Sequence, residues 1–120
     1  MRVKDWRETW EQYAIKEREE FDNIPLETLL ENIKSGNYGD YYNIWYSIAG
    51  RSDLKTVGWI FFDILNLDID YLLRYHCAAA LLTFFKKKEY EPVQLSSEKH
   101  NFKENLKAIE KLLEQNIGAR

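Results

Sequence analysis

The sequence predicts an all-α protein, a single domain of about five to six helices. Apolar residues recur at three- and four-residue steps through most of the chain, which is the period of helices with one buried face. The five glycines and two prolines fall mostly between those segments. A length of 120 residues fits one domain. No partner segment is visible for a strand, so we expect no sheet.

The N-terminal third predicts two helices. Residues 1–21 form an amphipathic helix with a stripe of aromatic side chains that includes Trp6, Trp10 and Tyr13. Pro25 suits the first position of the next helix, which runs to Lys34. Gly36 is expected to take the left-handed conformation that ends it.

The middle of the chain predicts two more helices. One spans 38–49, with Gly50 as its C-terminal cap, and the next spans 54–65, capped by Ser52 or Asp53. The run Val57–Phe62 would also fit a buried strand, but the apolar stripe continues through it at helical spacing. Gly58 costs a helix about 1 kcal/mol relative to alanine, unless it permits close packing.

The last third predicts a central helix and a covering one. From Ile69 to Phe85 only Asp70 and Arg74 are charged, so we expect a helix to about Lys87 in the centre of the domain, capped by Asp68 or Asp70. Residues 89–97 are expected to form a loop, and residues 97–117 contain a C-terminal amphipathic helix.

The segment 68–81, which reads DIDYLLRYHCAAAL, resembles the turn and second helix of a HEAT-type repeat. An acidic turn, an arginine and a run of small residues before a leucine carry the resemblance, which covers about residues 54–85. It implies stacked antiparallel helical hairpins over 25–87, with the first and last helices as caps, and binding of macromolecules in preference to catalysis. Arg74 lies one turn after Asp70, so we expect a structural ion pair between them.

Composition excludes several classes of function. A net charge of −3 and a pI near 5.4 argue against general nucleic-acid binding, which depends on phosphate neutralisation. A single cysteine, Cys77, cannot form an internal disulfide or a multi-cysteine zinc site. No motif for a phosphate, a nucleophile or a metal is present, so we predict no cofactor, no metal and no catalytic residue. The chain carries no apolar leader or spanning segment, which predicts a cytoplasmic protein and no membrane partner.

The tyrosines suggest a binding surface. Tyrosine is enriched at protein interfaces, and four tyrosines on one predicted helix cannot all face the core. The acidic N-terminal third adds charge that would attract a basic partner. The predicted partner-binding residues are Glu17, Glu20, Tyr38, Asp40, Tyr41, Tyr42 and Tyr46.

We therefore expect a non-catalytic protein that binds another protein, for example a small immunity or inhibitor protein that masks a basic partner. A second interpretation is a ligand-binding or enzymatic helical bundle with a pocket near Arg74 and His76. A third is nucleic-acid binding through a basic stripe, Lys99 to Lys111, where lysine recurs every four residues.

Overall fold

The protein is described here by a computed structural model that covers residues 3–85 and 102–120. Within these ranges every regular element is an α-helix, which confirms the all-α prediction. The helices are α1 (Val3–Asp22), α2 (Leu26–Lys34), α3 (Asn43–Arg51), α4 (Leu54–Leu65), α5 (Tyr71–Leu82) and α6 (Phe102–Ile117).

The helices pack in a chain of neighbours. Helix α3 lies against α1, α2 and α5, and α4 lies against α5 and α6. The pair α2–α3 thus packs against the pair α4–α5, and the contact between the two pairs is made by α3 and α5. Stacked hairpins would give the same order, but the likeness to a HEAT repeat stays a prediction.

The core lies where α2 to α6 converge, and each of these helices contributes fully buried apolar side chains. Trp45 of α3 meets Phe61 of α4 edge to face, with ring centroids 5.5 Å apart. Aromatic pairs in this geometry add stability beyond the area they bury. The largest fully buried residues are Leu29, Ile33, Ile44, Trp45, Ile48, Val57, Phe61, Leu65, Cys77, Leu81, Ile109 and Leu113.

Two aspartates begin helices as the sequence predicts. Asp53 Oδ1 accepts the backbone N–H of Thr56 at 2.8 Å, and Asp70 Oδ2 accepts that of Leu72 at 3.2 Å. Each bond satisfies a donor that the first turn of a helix leaves without an intrahelical partner. At the end of α2, Gly36 has φ +88°, so its predicted left-handed conformation is also confirmed.

Gly58 permits close packing, as the sequence suggested. A Cβ built there would lie 2.8 Å from Leu113 Cδ2 and 3.2 Å from Ile117 Cδ1. Because real Cβ contacts are not that short, α6 can approach α4 this closely only where α4 carries glycine.

The predicted helix over 38–49 is wrong at both ends. Helix α3 begins only at Asn43, and Gly50 lies inside it, because α3 continues to Arg51. Residues 38–42 form an irregular loop, in which Gly39 has φ +74° and Tyr42 has φ +66°. Left-handed backbone at two positions is incompatible with a right-handed helix.

Helix α5 is shorter than the sequence predicts. It ends at Leu82 and turns through 83–85, and its first turn exposes Tyr71 and Leu72. Helices α4 and α5 each have six buried residues, and each packs against two other helices, so α5 shares the centre of the domain with α4. The predicted terminus at Lys87, the loop 89–97 and the start of the last helix at 97 lie outside the described residues.

Candidate functional site

The loop between α2 and α3 is held by one carboxylate of α1. Glu17 Oε2 accepts the backbone N–H groups of Asp40 at 2.8 Å and Tyr41 at 3.0 Å, and Oε1 accepts that of Asn43 at 3.3 Å. The side chain of Tyr42, the residue before α3, makes no capping bond. Glu17 therefore acts as the cap of α3 from another helix, where its negative charge also suits the helix dipole.

A second bond fastens α3 to α1 beside this cap. Asn43 Nδ2 donates to the backbone carbonyl of Ala14 at 2.7 Å. Next to Asp40, Gly39 lies so close to α1 that a Cβ would be 2.8 Å from Phe21 Cζ and 3.3 Å from Glu17 Oε2. The loop is thus pinned at several points, and the left-handed Tyr42 is held by its surroundings, as strained residues must be.

The loop presents an aromatic face together with α1. The ring of Tyr41 meets Trp10 edge to face at 5.7 Å and stacks on Tyr13 at 6.2 Å, measured between ring centroids. Trp10 is 41% exposed and Tyr13 is 54% exposed. We call Trp10, Tyr13 and Tyr41 the aromatic face. Large aromatic rings left exposed and in mutual contact are typical of interaction surfaces.

Acidic residues flank the aromatic face. Tyr13, Glu17 and Glu20 lie on one side of α1, because their spacings of four and three residues bring them into line. Asp40 is exposed, and it lies beside Glu17 because its backbone N–H donates to the Glu17 carboxylate. The predicted pairing of acidic and aromatic residues is therefore present, although Glu17 itself is occupied by the loop.

A second aromatic cluster surrounds His76 on α5. The imidazole stacks on Tyr42 at 4.7 Å and meets Tyr46 and Tyr75 edge to face. Its Nδ1 lies 2.7 Å from the Tyr46 hydroxyl, a hydrogen bond in which Tyr46 donates when the imidazole proton is on Nε2. Burial lowers the pKa of His76 and raises the pKa of Tyr46 to about 12, so both groups are neutral near pH 7.

The predicted tyrosines thus divide into two sets. Tyr41 lies half-buried at the outside of the loop, where a partner could reach it, whereas Tyr42 stacks on His76 and packs against the core. Tyr38 packs inward on Trp45 with ring centroids 5.2 Å apart, and Tyr46 is engaged with His76. Burial raises the pKa of Tyr38 as well.

The sequence prediction did not include Trp10 and Tyr13 among the exposed aromatic residues. The available signal was the aromatic stripe of α1, which reads equally well as a face packed against the core. Their exposure follows from α1 lying at the edge of the helix array, against α3.

A group of hydrogen bonds joins the C-terminal end of α1 to α3 near this surface. The fully buried Ser47 donates to Asp22 Oδ1 at 2.6 Å, and Arg18 donates to the same carboxylate. The Ser47 bond, aided by Arg18, lowers the pKa of Asp22. Arg51 donates to the backbone carbonyls of Phe21 and Asp22 in the last turn of α1, and to that of Ile24 just beyond it.

The residues singled out on α5 do not converge on one pocket. Arg74 is buried and donates from Nη2 to the Leu67 carbonyl at 2.9 Å, whereas His76 faces Tyr42 and Tyr46. The ion pair of Arg74 with Asp70 stays a prediction; the contact shown between them is the backbone bond from Arg74 N to Asp70 O.

The neighbouring Cys77 is fully buried, and its Sγ approaches the Phe61 carbonyl at 3.7 Å. Burial raises the pKa of this thiol, which disfavours the reactive thiolate. Because His76 faces the tyrosines on another side of α5, the two adjacent residues do not form a nucleophile and base.

Two other surfaces are present. An open groove of about 290 Å³ runs between α2 and α4, lined by Ile33, Lys34, Ile60, Asp63, Ile64 and Leu67. On α6, Lys103, Lys107 and Lys111 are exposed, but Glu104, Glu110 and Glu114 alternate with them. Lys99 lies outside the described residues, and the nucleic-acid interpretation stays a prediction.

In the described ranges, no three histidine, cysteine, aspartate or glutamate side chains come together as metal ligands. No helix there combines the length and apolar character needed to cross a bilayer. Searches of protein-family models, curated proteins and solved structures found no match for this chain.

Proposed function

We propose that this chain is a non-catalytic binding protein whose protein partner docks on the aromatic face and its acidic surroundings. The observation that carries the proposal is the contact of Trp10, Tyr13 and Tyr41 while two of these rings remain 41% and 54% exposed. Aromatic side chains clustered on a surface are the residues that contribute most to protein interfaces.

Pre-organisation supports the same function. Glu17 and Asn43 fix the loop to α1, so Tyr41 is held in place before any partner arrives. Binding then loses less conformational entropy than it would with a flexible loop, which favours affinity. Strained backbone at Tyr42 fits this role, because such strain concentrates at functional loops.

The charge of the site indicates a basic partner. Residues 9–22 carry five carboxylates against two cations, and one of those cations, Arg18, is paired with Asp22. Asp40 adds a further exposed carboxylate beside Tyr41. Opposite charge speeds association and selects against acidic partners. A small immunity or inhibitor protein that masks a basic surface is the concrete form of the proposal.

Co-purification tests the proposal. The tagged full chain would be used as bait at low salt in a lysate of the source cells, beside Tyr13→Ala and Ile15→Ala. Ile15 is the matched control, since it is 60% exposed on the same helix but points away from Tyr13.

We expect one basic protein to be retained by the wild type and by Ile15→Ala, and to fall about tenfold with Tyr13→Ala. Its retention should weaken as salt rises, because salt screens exposed charges. Failure to retain any protein, or equal retention by all three baits, would contradict the proposal.

A further inference from the structure

We infer that the aromatic face binds an arginine side chain of the partner, with the guanidinium stacked on Tyr13 and hydrogen-bonded to the carboxylate of Asp40 or Glu20. This inference rests on the proposed function, since it names the chemical group that the same surface recognises. It follows from three features of the surface, which are ring geometry, charge and rigidity.

Ring geometry gives a place for a flat cation. Tyr13 and Tyr41 are nearly parallel, with an interplanar angle of 12°, and Trp10 stands at 81° to Tyr41. The two rings of α1 are still partly open to solvent, at 41% for Trp10 and 54% for Tyr13. A cation placed over an open ring face is attracted by the negative charge density of the π system.

The carboxylates around the rings select a charged group over an apolar one. Glu20 lies two turns beyond Tyr13 on the same side of α1, and Asp40 directly precedes Tyr41. Both are exposed, and both lie on the side of α1 where Glu17 receives the loop. An apolar partner would have to desolvate these charges without compensation.

Arginine fits this arrangement better than lysine. A guanidinium can stack flat on an aromatic ring while its N–H groups, which lie in the same plane, bind a carboxylate at the edge. An ammonium group is compact and strongly hydrated, and it cannot make both contacts with one plane.

Hydrogen bonds hold the loop in place, so the rings and carboxylates are already positioned for an arginine side chain. The N–H bonds to Glu17 hold Asp40 and Tyr41 together, and the bond from Asn43 to Ala14 holds the start of α3 against α1. Glu17 is thus a positioning residue for the arginine site, and its own carboxylate is not expected to contact the guanidinium.

The experiment titrates the full ¹⁵N-labelled chain with three capped tripeptides, Gly-Arg-Gly, Gly-Lys-Gly and Gly-citrulline-Gly. Citrulline matches arginine in shape and lacks the charge. Concentrations reach about 20 mM, because a single exposed cation–π contact is weak. The readouts are the Trp10 indole N–H, assigned with Trp10→Phe, and the backbone N–H of Tyr41.

We expect saturable shifts at both positions with the arginine peptide, binding at least about threefold weaker with the lysine peptide, and no shift with the citrulline peptide. Tyr13→Leu keeps apolar area without a π system and should abolish the shifts, whereas Ile15→Ala should leave them unchanged. No shift with arginine, or equal responses to arginine and lysine or to arginine and citrulline, would overturn the inference.

The peptide titration and the co-purification can fail independently, so a failure of the arginine site is distinguishable from a failure of the proposed function. If a basic partner is captured through Tyr13 but the arginine peptide does not bind, the arginine site is wrong and the proposed function stands. If the peptide binds and no partner is captured by any bait, the arginine site stands and the proposed function is wrong.

Discussion

Glu17 and Tyr41 lie 24 residues apart in sequence, yet both carboxylate oxygens of Glu17 lie within 3.1 Å of the Tyr41 backbone nitrogen. This contact joins α1, which carries the exposed Trp10 and Tyr13, to the loop that carries Tyr41. It also gives α3 the N-terminal cap that its own preceding residue, Tyr42, does not supply. A binding surface and a helix start therefore depend on one side chain.

Glu17→Gln should destabilise the fold by about 1–2 kcal/mol, because it weakens several hydrogen bonds from exposed and partly buried N–H groups to a charged acceptor. Urea unfolding followed by circular dichroism measures the effect as a lower midpoint with an unchanged slope. Glu20→Gln is the matched control, one turn along the same helix and exposed, with an expected change within about 0.5 kcal/mol. Equal midpoints for the two variants would contradict the capping role.

The two glycines with positive φ on either side of Tyr38 should respond differently to alanine. Gly36 has φ +88° with no atom within 4 Å of a built Cβ, so Gly36→Ala should cost only backbone strain, about 1 kcal/mol. Gly39 has φ +74° and a built Cβ 2.8 Å from Phe21 Cζ, so Gly39→Ala adds a steric clash. We expect a loss larger by about 1 kcal/mol or more in the same urea assay. If Gly36→Ala were as costly as Gly39→Ala, the tight approach of the loop to α1 would be wrong.

The sequence predicted those helix ends that depend on residues close to them in the chain. The cap at Asp53 and the left-handed Gly36 follow from short-range sequence rules and are present. The start of α3 does not follow from them, because its cap comes from Glu17 on α1. No spacing rule connects residues that far apart, so the helix was predicted to begin at Tyr38.

The same difference between local and tertiary contacts explains how much of the candidate site the sequence predicted. Composition indicated that some tyrosines must face outward, and Tyr41 does so beside Asp40. Which tyrosines turn inward depends on the loop conformation, which placed Tyr38 against Trp45. Trp10 and Tyr13 are exposed because α1 lies at the edge of the array, a tertiary fact that periodicity does not contain.

Ser47→Ala should raise the pKa of Asp22 toward its ordinary value of 3.8, because the Ser47 hydroxyl is the largest cause that lowers it. A carboxylate with a depressed native pKa stabilises the fold above its unfolded pKa, and the benefit is lost as pH falls through the native one. Because the Asp22 side chain is 43% exposed and solvent screens its charge, the variant should lose at most about 1 kcal/mol at pH 7, and less at low pH. The Asp22 carboxyl ¹³C shift, followed from pH 7 to about 2, measures the pKa directly; an unchanged pKa would mean that the Ser47 bond is not formed in solution.

His76 should make stability fall as the solution is acidified below about pH 6.5. Burial lowers its native pKa, so the unfolded chain binds more protons than the native chain between the native value and the unfolded value of 6.5. The contribution of His76 to stability is therefore fully present above pH 6.5. It declines as the pH falls from 6.5 through the native pKa, and below that it no longer changes. Asp22, whose pKa is lowered from 3.8, titrates well below this window, and Tyr46, whose pKa burial raises to about 12, stays neutral across it.

The measurement is the urea midpoint at half-unit steps from pH 8 to about 5, for the wild type and His76→Phe. Phenylalanine keeps the stack on Tyr42 but cannot titrate, so its midpoint should show a smaller slope between pH 6.5 and 5, even though it loses the bond to Tyr46 at every pH. The second histidine, His100, is common to both proteins and cancels in the comparison. Parallel curves would show that His76 is as hydrated in the native protein as in the unfolded chain, and the aromatic enclosure around it would be wrong.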